Sequence, residues 1–320
     1  MSPAAGTTIL LISADRAQEL AFSLPAALAQ PDAEVVVVDN ASSDATGELA
    51  REHGARHLRL ERRLPWAAAN NAAIAATGGD TVLLLNADCF LAPGFLAAAR
   101  PRLDEDGVGA VAPKLLRTLG GRPEDRLDEI DAAGMALDRR RKNDLHGHGE
   151  PGSRYSTPGF AFGADGAAAL HRRAMLEDCA VRGEVFDEDM GKYASDVDLA
   201  WRGHLLGWRC AYEPGAVAWH VRSYGPSTRA AVPAADRAAQ FRNRYLMIAK
   251  NDTPGAFARD LPRIATWEGL ALGFALVRER ELLAGYRDAR RLLPAACGRR
   301  REIQARRRSK TVPFGLAPRP

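Results

Sequence analysis

The amino-acid sequence predicts an alternating α/β domain with a helical, basic end. Apolar runs of strand length at 7–12, 34–38, 81–85 and 108–112 are separated by helix-length stretches, the spacing of βαβ units. The run Thr81-Val82-Leu83-Leu84-Leu85 lacks polar alternation, as in a parallel strand buried on both faces, and stops on Asn86-Ala87-Asp88 before a Pro93-Gly94 turn. Ligands of open α/β sheets bind at such C-terminal strand ends.

Each element follows in chain order. Residues 7–12 form the first strand, 16–30 read as a helix interrupted at Pro25, and 34–38 form a second strand ending at Asp39-Asn40. Ser42-Ser43-Asp44 caps a helix to about 53, residues 56–60 suit a short strand, and the alanine-rich 67–76 suits a helix. After the strand at 81–85 a helix runs to about 103, followed by a strand at 108–112. Residues 117–160 are rich in Gly, Arg and Asp without clear period and read as surface loop or hairpin, including His146-Gly147-His148. A helix begins near Asp196, with Val197, Leu199, Ala200 and Trp201 available for burial and Ser195 suited to capping. A short apolar strand at 216–221 carries His220 at its end.

Composition excludes several function classes. A chain of 320 residues can bury a full core. It contains no apolar run long enough for a transmembrane helix and no basic start with an apolar stretch like a signal peptide, so a cytoplasmic location is expected. Cys89, Cys179, Cys210 and Cys297 form no Cys-x-x-Cys pair, which argues against zinc and against a disulfide framework. The turn Ser13-Ala14-Asp15-Arg16 lacks the glycines of a dinucleotide fingerprint, and no P-loop is present. A nucleotide diphosphate bound here therefore needs a cation or arginines to neutralise it.

The net charge of +4 is concentrated at 298–310, where arginines dominate. Residues 266–286, with Trp267, Leu270, Leu272, Phe274, Leu276 and Val277, read as an amphipathic helix. Together they suit peripheral attachment to an anionic membrane surface, or a helix packed on the main domain with a solvated basic tail. No nucleic-acid-binding motif accompanies the arginines.

Three acidic or imidazole positions carry chemistry. Asp88 at its strand end can hold a hard divalent cation that in turn holds a diphosphate, or can serve as a turn or cap residue. Asp196 lies in a first helical turn, where a carboxylate also complements the helix dipole. His220, delivered by a strand end, can join Asp88 in a metal site.

The ordered set VVVVDNASSD (35–44), WAAANNAA (66–73), VLLLNAD (82–88), GADGAAALHRR (163–173), FDEDMGKYASDVDLAWR (186–202), Gly207-Trp208 and Trp219-His220 resembles family 2 glycosyltransferases with the GT-A fold. Within them it is most similar to the bacterial rhamnosyltransferase-like branch, over residues 7–250. The resemblance implies a mixed central sheet flanked by helices, a transferase domain at 1–250 and a helical, basic extension at 251–320. It implies that Asp15, Asp39 and Asn70 contact the nucleoside, that Asn86-Ala87-Asp88 stands for the family's Asp-x-Asp, and that Asp88 with His220 binds Mg²⁺ or Mn²⁺ on the diphosphate. Asp196 falls on the catalytic acid of the family's Glu-Asp pair. Asn86, Ser195 and Pro65 depart from the family's usual Asp, Glu and Gly.

The expected reaction is inverting transfer of a sugar, first of all rhamnose from dTDP-rhamnose, to a hydroxyl of a cell-envelope or lipid-linked glycan. Asp196 takes the hydroxyl proton, and Arg222 or Arg229 assists at the diphosphate. Trp201 and Trp208 could stack on the acceptor's sugar faces, but aromatics in this pattern are more often core. A sugar nucleotidyltransferase would carry a Gly-rich basic loop after the first strand, which Ser13-Ala14-Asp15 is not. A catalytically silent glycan-binding or scaffold protein is the other alternative.

Overall fold

A computed structural model describes residues 6–222, 229 and 231–320. The chain runs β1 (Thr7–Ser13), α1 (Ala17–Leu28), β2 (Ala33–Asp39), α2 (Thr46–Glu52), β3 (Arg56–Arg59), α3 (Trp66–Ala75), β4 (Thr81–Asn86), β5 (Cys89–Leu91) and α4 (Phe95–Ala99). It continues through β6 (Val108–Thr118), β7 (Arg126–Ala133), β8 (Met135–Leu137), β9 (Asn143–Leu145), β10 (Gly159–Ala161), β11 (Ala168–Arg172) and α5 (Arg173–Cys179). The last elements are α6 (Ser195–Leu205), β12 (Arg209–His220), α7 (Ala234–Asn251), α8 (Pro254–Val277) and α9 (Leu282–Ala305).

The main sheet has the order β10-β12-β6-β11-β4-β1-β2-β3, with β5 added to β12 and β7 to β6. Strands β3, β2, β1 and β4 are parallel, β11 is antiparallel to β4 and β6, and β12 is parallel to β6. Successive residues of the central strands feed opposite layers, as the pleat requires. Ile9, Leu11, Val37, Leu83 and Leu85 pack with Leu20 and Leu24 of α1, whereas Leu10, Val36, Val38, Val82 and Leu84 pack with Ala67, Ala73 and Ile74 of α3. Each such aliphatic side chain contributes about 1.5–3 kcal/mol by leaving water.

This winding positions the site. From β1 the chain goes outward through β2 to β3 and then returns to the other side of β1 as β4, which opens a crevice at the C-terminal ends of β1 and β4. Ser13 lies beside Asp39, and Ile12 beside Asn86, so the strand ends are level.

Three expectations change. Pro25 sits inside a continuous α1; the residue four positions back, Ala21, is exposed, so the carbonyl that Pro25 cannot satisfy lies on the solvent side. Of the loop or hairpin expected at 117–160 the hairpin is what forms, and it is not confined to the surface, because β7 pairs antiparallel with β6 and buries Ile130, Asp131, Ala132 and Ala133. The basic segment near the C-terminus is helical as far as Ala305, and three of its arginines turn toward the domain while Arg301, Arg307 and Arg308 stay exposed. Arg299 pairs with Glu184 (2.8 Å), Arg300 donates to the carbonyls of Ala249 and Asp252, and Arg306 to those of Asp178 and Ala180.

Candidate functional site

The crevice is a cleft of about 440 Å³ whose walls include Arg16, Trp66, Asn86, Asp88, Asp165, Asp196, His220 and Arg222. One wall begins at β4. The strand delivers Asn86, whose Oδ1 accepts from Trp66 Nε1 at 3.4 Å, and two residues later Asp88. β5 pairs antiparallel with β12 so that Cys89 lies opposite His220, which brings His220 Nε2 to 3.5 Å from Asp88 Oδ1. The opposite wall is the first turn of α6. There Asp196 Oδ2 accepts from the Gly166 backbone N–H at 3.1 Å and Oδ1 from that of Val197 at 2.9 Å.

A buried charge network stands behind His220. β7 contributes one residue too many for its pairing: Leu115 faces Ala132 and Leu116 faces Ile130, leaving Asp131 as the bulged residue. Bulges re-aim side chains. The Asp131 carboxylate accepts from His220 Nδ1 at 2.9 Å and from Arg222 Nε at 2.6 Å and Nη2 at 2.8 Å. Arg222 also donates to Asp165 Oδ2 at 2.9 Å. Bonded to Asp131 through Nδ1, the imidazole presents Nε2 to Asp88, the arrangement by which carboxylates orient metal-binding histidines.

Protonation follows from these contacts. Burial would raise the Asp88 pKa, but the hydrogen bond and charge of His220 together with the charge of Arg16 leave it below the usual carboxylate value. Burial pushes His220 down, yet its bonds to Asp131 and Asp88 outweigh that and raise it to about 9. Asp196 goes the other way. Burial and the neighbouring Asp165 carboxylate raise it to about 6, against the pull of the Gly166 and Val197 N–H groups. Carboxylates tuned towards neutral pH by burial and like charge are suited to proton transfer.

Local backbone explains why these residues meet. A Cβ on Gly163 would lie 2.6 Å from Ala200 Cβ, so a glycine is needed for α6 to approach. A Cβ on Gly166 would lie 2.9 Å from the Trp66 ring and 3.4 Å from Asp196 Oδ2. Ala194, just before α6, adopts φ 60°, a left-handed conformation costing about 1–2 kcal/mol in a non-glycine residue. Ser195 does not cap α6: its Oγ is buried without a hydrogen-bond partner.

The nucleoside-side residues are partly gathered. Asp15, at φ 56°, accepts from the Ser43 N–H at 2.7 Å and pairs with Arg63. Asp39 is fully buried and accepts from the Ser42 N–H (2.7 Å), Arg59 (2.6 Å) and His57 (3.1 Å), three of its roughly four acceptor positions. Asn70 is buried in α3, donates to the Trp66 carbonyl at 2.8 Å, leaves Oδ1 without a partner, and does not line the cleft.

Three expected ligand contacts do not fit. Trp201 is completely buried, edge-on to Phe314 at 5.4 Å, and has no face to offer a sugar. Trp208 folds back on the last turn of α6, its backbone N–H donating to the Gly203 carbonyl and its Nε1 to Asp178, and does not line the cleft. Arg229 is held by Glu279 at 2.8–2.9 Å and is not part of the cleft wall. Arg222 does line the cleft, but two carboxylates occupy much of its donor capacity. Conversely, Asp131, Asp165 and Trp66 join the site. Asp165 lies in the quoted Gly163–Gly166 stretch, where an acid between closely spaced glycines is the available signal.

The donor set suits a shared cation. Asp88 and His220 supply a carboxylate oxygen and an imidazole nitrogen, acceptable to Mn²⁺, and no cluster of three or more His, Cys, Asp or Glu that could hold a metal occurs among the described residues. Two protein ligands leave positions for diphosphate oxygens and water, the way such ions are usually held on nucleotides.

Residues 8–177 match the family described as Glycosyl transferase family 2. The succinoglycan biosynthesis protein ExoU of Rhizobium meliloti (strain 1021) is 37% identical over 123 residues, 36% of this chain and 35% of that protein. The chain thus spans about a third of the length of that curated relative. Among solved structures, S. aureus TarS 1–349 in complex with UDP-GlcNAc superposes with a TM-score of 0.61 at 16% identity, covering 93% of this chain and 89% of that one. The mannosyltransferase PcManGT from Pyrobaculum calidifontis, in complex with GDP-Man and Mn²⁺, gives 0.53 at 21% identity, covering 92% and 86%. The shared fold is the GT-A architecture.

Proposed function

This chain belongs to glycosyl transferase family 2, and from that premise we propose that it transfers a sugar from a nucleotide diphospho-sugar to a hydroxyl of a glycan acceptor with inversion at the anomeric carbon. The observation that carries the reading is the juxtaposition, across one cleft, of the Asp88–His220 pair with the Asp196 carboxylate.

Asp196 accepts the acceptor's hydroxyl proton as the oxygen bonds to the anomeric carbon, and the bond from that carbon to the diphosphate oxygen breaks. The two backbone N–H groups on Asp196 keep its carboxylate aimed into the cleft. Such a positioned base contributes about 10²–10⁴ in rate. Asp88 and His220, the latter on giving up its Nε2 proton, would hold a divalent cation, which would neutralise charge on the departing diphosphate. Asp131 fixes the His220 ring for that task, and Arg222 braces Asp131 and Asp165. Asp15 is the exposed acid available to the nucleoside, Asp39 being fully buried in the turn behind it, and Trp66 lines the cleft beside Asn86.

Two kinds of relative support the choice of substrates. Structures of similar fold contain UDP-GlcNAc or GDP-Man, and the curated relative is named for succinoglycan biosynthesis, which supports a cell-envelope or lipid-linked glycan as acceptor. The similarity of the sequence motifs to the rhamnosyltransferase-like branch puts dTDP-rhamnose first, ahead of UDP-galactofuranose and other UDP or GDP sugars. The test is a panel of nucleotide sugars with Mn²⁺, read as a rise in melting temperature, since binding to the native state stabilises it by mass action. A rise with dTDP-rhamnose that requires Mn²⁺ is expected; no rise with any sugar nucleotide overturns the proposal.

A further inference from the structure

The C-terminal half of α8 leaves an apolar surface uncovered. From Gly269 to Val277 the helix carries no charge, and Leu270 (64%), Leu272 (43%), Phe274 (42%), Leu276 (49%) and Val277 (77%) are exposed. At 100° per residue these five side chains spread over roughly 200° of the helix circumference. A flat partner covers one stripe of a helix; an apolar medium covers a protruding end from several sides.

The charges around it are mostly positive, the one acid of the neighbouring groove, Asp138, being paired with Arg140. Arg259 and Arg263 precede the apolar stretch and Arg278 and Arg280 follow it, all exposed. The nearby acids are engaged elsewhere: Asp260 is buried under Arg139 and Arg141, Glu268 accepts from Arg244 and Tyr245, and Glu279 and Glu281 pair with Arg229 and Arg237. Beside the helix, the turn between β8 and β9 closes a groove of about 720 Å³ lined by Arg139, Arg140, Arg263, Trp267 and Leu270. The Arg140 guanidinium lies 4.9 Å from the Trp267 ring centroid.

We infer that this end of α8 inserts into an anionic phospholipid surface, with Trp267 at headgroup depth and the surrounding arginines against lipid phosphates. The stretch is about 13 Å long, short of the roughly 30 Å hydrocarbon core, and no helix among the described residues is long and apolar enough to cross a membrane. It therefore lies in the interface. Arg299, Arg300 and Arg306, near the C-terminal end of α9, do not serve here, because they are bonded to the domain. Met135, at the other end of β8, lines the cleft, so the groove at Asp138–Arg140 lies about 10 Å along one strand from it. That spacing suits an acceptor whose lipid stays in the bilayer while its glycan enters the cleft.

The test is co-sedimentation of the full chain with phosphatidylcholine vesicles with and without phosphatidylglycerol, which needs no donor or acceptor. Wild type is expected in the pellet with the anionic vesicles, and Arg263→Ala weakens that binding about fivefold. The double change Leu270→Glu with Val277→Glu abolishes it at an unaltered melting temperature, both side chains being exposed. Tryptophan quenching by brominated phospholipid in the unmutated chain, reduced in Trp267→Phe, gives a readout independent of those variants. Absence of wild-type binding, equal binding to both vesicle types, or full binding by the double variant overturns the inference. So does a dimer that the double variant converts to monomer without vesicle binding, which would assign the face to a second copy of the chain.

Discussion

Replacing Asp165 by Asn shifts the pH dependence of transfer without touching the base itself. Asp196 is raised from 3.8 to about 6 by burial and by the Asp165 carboxylate. A base at that value is about nine-tenths ionised at pH 7 and about one-tenth ionised at pH 5, so kcat/KM at saturating Mn²⁺ should fall about tenfold between those two values. Removing the Asp165 charge leaves burial opposed by the Gly166 and Val197 N–H groups, so the acid limb moves to lower pH. The assay is release of nucleoside diphosphate between pH 4.5 and 8 with a fixed donor, wild type against Asp165→Asn. Asp165 also accepts from Arg222, so the plateau rate is expected to drop as well; the midpoint carries the test. A wild-type limb centred near 4, or one that Asp165→Asn does not move, refutes the assignment of the base and of its neighbour.

Other changes probe the rest of the site and the frame that holds it. Asp131→Asn removes the charge orienting His220 and should weaken Mn²⁺ binding about 10–100-fold, measured by Mn²⁺ titration of the donor-dependent melting shift. Gly166→Ala forces a methyl group to within 2.9 Å of Trp66, and a donor-binding or transfer defect larger than its effect on melting is the expected result. Arg141 is wholly buried between Asp252 and Asp260 and lies 3.8 Å from the Phe314 ring. Arg141→Ala leaves two buried carboxylates without this partner and should cost about 3–5 kcal/mol in urea unfolding.

The central strands were legible because both of their faces are buried: the runs at 34–38 and 81–85 need no alternation to be recognised. Asp88, His220 and Asp196 were legible because strand ends and a helix start show in the sequence. Asp131 was not. It is the bulged residue of a strand whose last four positions, Ile-Asp-Ala-Ala, are all buried, so neither a period of two nor an apolar run marks it. Trp201 follows the commoner pattern for such aromatics: it is close to Asp196 in sequence but lies in the core on the inward face of α6. Arg229 follows His220 closely along the chain, yet its partner, Glu279, lies fifty residues later. The inward-facing arginines of α9 likewise depend on carbonyls more than fifty positions away, which no local pattern encodes.

The most direct test is Asp196→Asn assayed twice on one preparation, for donor binding with Mn²⁺ by melting shift and for transfer by product release. The carboxamide preserves size, and Asp88, His220 and Asp131 are untouched. Binding within a few-fold of wild type together with at least about a hundredfold loss of transfer is the predicted result. Turnover close to wild type would contradict the account, because the proton would then be leaving the acceptor by another route.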